Sequence, residues 1–165
     1  MVQFTAVNGN KTANLDQFEA YAQQASARNV SLLVFPELSL DGYSIYSELH
    51  ILELAEPVNG PSMERVQQIA QQYEINIAYG YMELGEANDC KQVFPPFQNN
   101  IYDSFAIISS TGELLVNYRK THLAPGAEVT RLQIIYANSD PFAFRSIFSL
   151  VVVWSDQLLK FKALR

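Results

Sequence analysis

The sequence predicts a layered α/β protein whose sheet contains parallel strands. A short apolar run, Ser31–Phe35, stops at Pro36, which is the pattern of a strand buried on both faces. A helix that opens at Pro61 separates this run from a second one, Ile75–Met82. A strand, a helix and a strand in this order are typical of a right-handed crossover unit, in which the two strands are parallel.

The elements before this unit are interpreted as a strand and an amphipathic helix. Val2–Val7 is the expected first strand, and the turn Asn8-Gly9-Asn10 follows it. Asn14, with Gln17 three residues later, is the expected helix N-cap. Apolar residues at helical spacing then predict a helix that ends near Arg28; they are Leu15, Phe18, Ala22 and Ala25.

The elements after the crossover unit are a loop over 85–99, a hairpin and a weakly patterned tail. The hairpin strands are predicted at Ile101–Ile108 and Leu114–Tyr118, on either side of a Ser-Thr-Gly turn. Beyond Leu123 the expected elements are a buried strand, Phe148–Val153, and a short helix, Gln157–Arg165. Because no linker or repeat divides the sequence, residues 1–165 are predicted to form one domain.

Composition and charge exclude several classes of protein. Of the 165 residues, 48% are hydrophobic and 17% are charged, which is a globular composition and not a disordered one. The net charge is −6 and no basic patch stands out, so nucleic acid and anionic membranes are not expected partners. The run Ile147–Trp154 is too short to span a bilayer, and Met1–Asn10 lacks the features of a signal peptide.

The single cysteine, Cys90, bounds the redox chemistry. One thiol forms no internal disulfide, and no cysteine–histidine cluster has the spacing of metal ligands, so no metal is expected. This usage favours a reducing, cytoplasmic location. Cys90 itself lies in a polar loop with nothing nearby to lower its pKa, and it is interpreted as incidental.

Glu37 is the first candidate for chemistry, because it follows Pro36 at the carboxyl end of a predicted buried strand. Ligands in layered α/β proteins gather at such ends. Partial burial there is expected to raise the pKa of the carboxyl group and to suit it to general-base work. From position alone, a helix-capping or turn carboxylate is the more frequent explanation.

Lys120 and Glu128 follow the predicted hairpin. A fixed ammonium group stabilises a developing oxyanion, although a lysine after a strand is more often a solvated surface charge. Glu128, considered alone, is another acid in a loop. His122 lies near Lys120, but no serine or cysteine nucleophile motif is close to it, so a packed or capping histidine is the preferred interpretation.

Taken together, these segments resemble the nitrilase/amidase superfamily of carbon–nitrogen hydrolases. Val34-Phe35-Pro36-Glu37-Leu38 and the residues up to Tyr43 are similar to the signature around the catalytic glutamate of that family. Tyr118-Arg119-Lys120-Thr121-His122-Leu123 is similar to the segment that holds its lysine. The resemblance covers about residues 2–123, and Asp103 stands where the family usually has asparagine.

The resemblance implies an α-β-β-α sandwich of which this chain supplies the N-terminal part. It also implies covalent catalysis by a cysteine thiolate on a small amide or nitrile, without a cofactor. Glu37 takes the position of the general base, Lys120 that of the group that stabilises the tetrahedral intermediate, and Glu128 that of a second, positioning glutamate. Because half of the sandwich is absent, the chain is expected to be a homo-oligomer or only marginally stable.

The match is poor over residues 124–165, where the family has its cysteine. Aligning Asp156 with the family motif Cys-Tyr-Asp puts Trp154 at the nucleophile position, with Ser155 beside it. Tryptophan does not attack a carbonyl carbon, and Ser155 has no evident activating base. Three explanations remain: a fragment or altered reading frame of an amidase, which is preferred; a decayed pseudoenzyme; and a non-catalytic binding or interaction domain.

Overall fold

The structure, a computed structural model, describes residues 1–43, 48–86 and 101–120. In these residues the chain forms a mixed sheet. The sheet has four strands in the order β1-β2-β3-β4, namely β1 (Leu32–Val34), β2 (Asn76–Leu84), β3 (Ile101–Ile108) and β4 (Leu114–Arg119). Three helices accompany it in these residues, namely α1 (Lys11–Ser26), α2 (Glu48–Leu54) and α3 (Pro61–Gln72).

The strand pairing confirms the predicted parallel pair of strands and the predicted hairpin. β1 pairs in parallel with β2, with Leu33 opposite Ile77, and α3 lies between the two strands in sequence. β2 and β3 are antiparallel, and so are β3 and β4. Pro61 is at the first position of α3, where its fixed φ suits the helix and its missing N–H costs nothing.

One face of the sheet packs against α1 and α3. Phe18 of α1 stacks on Phe35 with ring centroids 4.0 Å apart, and it meets Tyr79 of β2 edge to face. From α3, Val66 and Ile69 are fully buried in the same cluster. Since strand side chains alternate between faces, Tyr79 and Tyr81 belong to this core, whereas Gly80 and Met82 belong to the other face.

The other face carries a smaller core under α2. Ile51 of α2 packs there with Leu38, Met82 and Ile101. Asp103 is two residues beyond Ile101 on β3 and therefore shares this face. The face thus brings together the segment after β1, the middle of β2 and a buried acid of β3.

Two expectations about the N-terminus were wrong. Residues 2–7 do not form an assigned strand, because the backbone contact of this segment with β1 is the 2.9 Å bond from Val2 N to Val34 O, and one bond makes no ladder. The N-cap of α1 is Asn10, whose side chain accepts a hydrogen bond from Ala13 N, and the helix ends at Ser26. Asn14 lies inside the helix, where its buried side chain has tertiary partners, Val7 and Leu40.

Several expectations fall outside the described residues. These are the loop around Cys90, and the strand and helix predicted after Leu123. The prediction that residues 1–165 form one domain therefore stays a prediction. None of the helices in the described ranges combines the length and the apolar character that crossing a bilayer requires.

Candidate active site

Glu37 lies in a turn that is bonded to β2 along its length. Before the turn, Phe35 N donates to Ala78 O over 2.8 Å, and after it Leu40 N donates to Gly80 O over 3.1 Å. Leu38, between them, has a φ of +47°, a left-handed conformation that a leucine adopts only when the surrounding structure enforces it. The backbone that carries Glu37 is therefore held against the sheet.

A buried acid, Asp41, anchors the end of this turn. Its Oδ2 accepts a 2.7 Å hydrogen bond from Met82 N, and its Oδ1 lies 3.4 Å from the Nζ of Lys11 on α1. Burial raises the pKa of Asp41 to about 6, although the charge of Lys11 opposes that rise. Lys11 also bonds Glu56 at 2.6 Å and the carbonyl oxygen of Leu54, so it ties α1 to the end of α2.

Lys120 reaches Glu37 from the end of β4. Its backbone N–H donates to Asp103 O over 2.8 Å, which fixes the chain as it leaves the strand. Its Nζ donates to Glu37 Oε1 over 2.6 Å and lies 3.4 Å from Asp103 Oδ2. Residues 83 positions apart in the sequence thus form one ion pair, with a buried carboxyl group beside it.

Opposing effects act on the pKa of Glu37. Burial by itself would raise it, but hydrogen bonds from Asp103 and Lys120, together with the charge of Lys120, lower it below its ordinary value. The expectation of a raised pKa was therefore wrong, because it considered burial without the neighbours. An adjacent ammonium group favours the charged form of a carboxyl group, and the lowered pKa of Glu37 follows this rule.

Asp103 shows the opposite behaviour. Burial and the adjacent Glu37 raise the pKa of Asp103 to about 8, and Lys120 only partly opposes this rise. The two carboxyl groups are hydrogen-bonded to each other, and their pKa values are shifted in opposite directions. Lys120, Glu37 and Asp103 thus form one cluster of an amino group and two carboxyl groups.

A cavity of about 360 Å³ opens beside Glu37. Its walls include Phe4, Ala6 and Asn8 from the N-terminal segment and Tyr43 from beyond the turn. Tyr43 is also hydrogen-bonded to Glu37 and favours its ionised form. The carboxylate of Glu37 therefore borders a space large enough for a small organic molecule.

A second network supports the strand end that presents Lys120. Glu83 of β2 is buried and accepts hydrogen bonds from Arg119 Nε at 3.0 Å and Nη2 at 2.6 Å. Its other oxygen accepts from Ser104 and Asn117. Arg119 also stacks on Tyr102, with its guanidinium carbon 3.9 Å from the ring centroid. These contacts hold the residue next to Lys120 in place.

The structure brings together two of the three predicted site residues, Glu37 and Lys120. Glu128 lies outside the described residues, as do His122 and the positions around Trp154. Sequence reasoning gave no role to Asp103, although an acid in an otherwise apolar strand, Ile101–Ile108, is a signal for a buried carboxyl group. Among the residues that the structure describes, no three metal-binding side chains converge.

Comparison with known proteins identifies related sequences. The profile of the carbon–nitrogen hydrolase family matches residues 1–146. A hydrolase encoded in the pqqF 5′ region of Pseudomonas protegens is 37% identical over 110 residues, which are 67% of this chain and 34% of that protein. The protein N-terminal amidase of Schizosaccharomyces pombe is 31% identical in an alignment of 127 residues that covers 74% of this chain and 42% of that protein.

Solved structures share the fold. An N-terminal amidase matches with a TM-score of 0.63 and 22% identity, over 83% of this chain and 30% of that one. An amidase from Nesterenkonia sp. matches with a TM-score of 0.58 and 21% identity, over 84% of this chain and 47% of that one. The chain spans about a third of the length of the Pseudomonas hydrolase and about two fifths of the length of the Schizosaccharomyces amidase.

Proposed function

Because the chain belongs to the carbon–nitrogen hydrolase family, we propose that it carries two groups of a site that hydrolyses a small amide or nitrile. Glu37 is the general base and Lys120 stabilises the oxyanion. The observation that carries this proposal is the 2.6 Å contact between Lys120 Nζ and Glu37 Oε1. Glu37 also lines a cavity of about 360 Å³, which is large enough for a small substrate. The lowered pKa of Glu37 supports it, since a base must be ionised before it accepts a proton.

The proposed reaction on an amide has two halves. A thiol gives its proton to Glu37 as its sulfur attacks the carbonyl carbon, and Lys120 stabilises the negative oxygen that forms. The C–N bond then breaks, Glu37 returns the proton to the leaving nitrogen, and ammonia departs from a thioester. Water, deprotonated by Glu37, cleaves the thioester to a carboxylic acid and restores the thiol. Glu128 is assigned the positioning role that the family resemblance implies.

The names of related proteins support an amide as the substrate class. The relatives include an N-carbamoylputrescine amidase of Oryza sativa, and a double mutant of the Nesterenkonia amidase was solved in complex with acrylamide. The substrates in these names are those of the related proteins. For this chain, the proposal is a small amide or nitrile that fits beside Glu37.

The nucleophile is the missing group. The only cysteine of the sequence is Cys90, and Trp154 stands where the family resemblance places the nucleophile. We therefore propose that the chain in this form does not turn over an amide, and that a thiol at position 154 is what it lacks. The alternative, a non-catalytic amide-binding domain, is favoured by the same tryptophan and must be tested beside it.

The test is to place a thiol at the proposed position. A Cys90→Ser, Trp154→Cys variant has one thiol, and its matched control adds Glu37→Gln. Each protein is incubated with acetamide and with propionamide, and the mass of the intact chain and released ammonia are measured. We expect an acyl adduct and ammonia from the double variant, neither from the parent chain, and at least a tenfold loss with Glu37→Gln, in line with general-base contributions of about 10²–10⁴.

Three outcomes contradict the proposal. Ammonia from the parent chain that disappears in Cys90→Ser makes Cys90 the nucleophile. If the adduct forms equally well in the Glu37→Gln control, Glu37 is not the general base. A folded double variant that forms no adduct, but binds acetamide saturably beside Glu37 by NMR, replaces the hydrolase with the binding domain.

A further inference from the structure

The carboxyl group of Asp103 contacts both members of the Glu37–Lys120 pair. Its Oδ2 lies 3.4 Å from Lys120 Nζ, its side chain is hydrogen-bonded to Glu37, and its backbone carbonyl accepts the 2.8 Å bond from Lys120 N. Asp103 is only 4% exposed, so its carboxyl group has little access to water. Its partners within the protein therefore decide whether the carboxyl group is protonated.

Geometry indicates which of the two carboxyl groups holds a proton. When two carboxyl groups share a hydrogen bond, one of them must be protonated, because only a protonated carboxyl group has an O–H to donate. The Glu37 side chain is 40% exposed and its oxygen is 2.6 Å from the ammonium group of Lys120. The Asp103 side chain is 6% exposed and lies farther from that ammonium, at 3.4 Å. Greater exposure to water and the shorter distance to the Lys120 ammonium group both favour the ionised form of Glu37, so the shared proton lies on Asp103.

We propose that Asp103 is a positioning residue that acts in its protonated form, donating its O–H to Glu37 while its backbone carbonyl holds Lys120 beside them. In this form it supplies the donor that an asparagine at the same position would supply. The inference rests on the proposed function, in which Glu37 is the base. The proposed role of Asp103 makes the arrangement of Glu37 and Lys120 depend on pH, because the O–H donor is lost when Asp103 ionises.

The charged groups around Asp103 set the pH at which this happens. Glu37, from the turn after β1, disfavours a second negative charge, and Lys120, from the end of β4, favours it. Tyr43 bonds Glu37 from beyond the turn, and the β2 neighbour Met82 carries no charge. With its pKa raised to about 8, Asp103 is protonated at neutral pH and ionises in mildly alkaline solution. Its carboxylate then repels Glu37 and competes for Lys120.

The test is carboxyl ¹³C NMR of the full-length chain, comparing the parent with Asp103→Asn and Asp103→Ala. We expect the Asp103 signal to titrate near pH 8 in the parent. Asparagine keeps a donor, so Glu37 should keep its lowered pKa in Asp103→Asn; alanine removes the donor, so the pKa of Glu37 should rise. A purely structural role would change the melting temperature but would not separate the two variants in this way.

An activity measurement adds a second readout. In the variant with its single thiol at position 154, adduct formation should fall at least tenfold above about pH 8, and adding Asp103→Asn should abolish that fall. Asp103 titrating in the ordinary acidic range, or equal Glu37 pKa values in the two variants, would overturn the inference. If Asp103→Ala does not fold, the parent titration and Asp103→Asn still decide it. Because NMR needs no turnover, failure of the hydrolase proposal would leave this test intact.

Discussion

The backbone of Glu37 lies against Gly80 of β2 so closely that a side chain at position 80 has no room. A Cβ added to Gly80 would lie 2.8 Å from Glu37 Cα and 2.5 Å from Leu38 N. The missing side chain lets the turn cross the strand, and this crossing points the Glu37 carboxylate toward Lys120. The position of the proposed base thus depends on a glycine that contributes no chemistry.

Replacing Gly80 with alanine should displace the turn. Overpacking a well-packed interior costs typically about 1–3 kcal/mol, and here the obstacle is backbone that cannot rotate away. We expect a loss of that size in the free energy of unfolding, measured with urea. The ¹³C titration should also show a higher Glu37 pKa, because Lys120 no longer reaches it. Leu115→Ala, at a side chain that is 54% exposed, is the control and should change stability by less than about 0.5 kcal/mol; an equal loss in both would contradict this expectation.

The Asn14 side chain should contribute more to the free energy of unfolding than the side chain of Asn10, the N-cap of α1. Its side chain donates to Leu40 O and Val7 O and accepts from Val7 N, at 2.8 to 2.9 Å. Asn14→Ala removes the partner of Val7 N and of the buried Leu40 O, whereas Val7 O keeps its bond from Asn10 N, and we expect a cost of about 2–3 kcal/mol. Asn10→Ala removes only the cap, at a cost of about 1 kcal/mol. Chemical unfolding of both variants checks the order, and a larger effect of Asn10→Ala would show it to be wrong.

Asp41 should make stability fall as the pH rises from about 4 to about 6. Its pKa is raised to about 6 in the folded state from an ordinary 3.8, so the native state binds the extra proton in this window. Stability falls with pH wherever the native state binds more protons than the unfolded state. Two pKa units correspond to about 3 kcal/mol. Asp41→Asn should lack this dependence, so the difference in the free energy of unfolding between the parent and the variant, measured with urea at each pH, should change across this window.

The same comparison separates Asp41 from other acids. Glu37 and Glu56 have lowered pKa values, so their stabilisation is present above the ordinary value of 4.5 and is lost as the pH falls below it. This effect has the opposite sign to that of Asp41 and is common to both proteins. Asp103 has a raised pKa and acts with the same sign as Asp41, but it is present in both proteins and cancels. A difference between parent and Asp41→Asn that is flat from pH 4 to pH 6.5 would count against the assignment.

Removing the charge of Glu83 should cost far more than breaking a surface ion pair. Glu83→Gln leaves Arg119 without its buried counter-charge, and losing one partner of a buried pair costs about 3–5 kcal/mol. Because the Arg119 side chain is 24% exposed, we expect about 2–3 kcal/mol. Arg65→Gln breaks the ion pair with Glu19 on the surface and should cost less than about 1 kcal/mol. Thermal and urea unfolding of the two variants should separate them clearly; similar losses would refute the distinction.

The elements that the sequence predicted well are those with a strong local pattern. The proline at the start of α3, the apolar runs of β1 and β2, and the two strands around the Ser-Thr-Gly turn are found within two residues of their expected ends. The N-terminal strand and the Asn14 cap were wrong, because both depend on what lies opposite in space. Asn14 fits a cap pattern, yet its buried side chain bonds Leu40, 26 residues away.

The sequence by itself determined the α/β class, which follows from periodicity, and the family resemblance with its candidates Glu37 and Lys120, which follow from short motifs along the chain. Only the tertiary structure decided that a third acid, Asp103, joins them and that the pKa of Glu37 is lowered. Ionisation depends on the burial and charge contributed by neighbouring segments, here a turn, a strand and the end of another strand. These segments lie far apart in sequence and become neighbours only when the sheet forms.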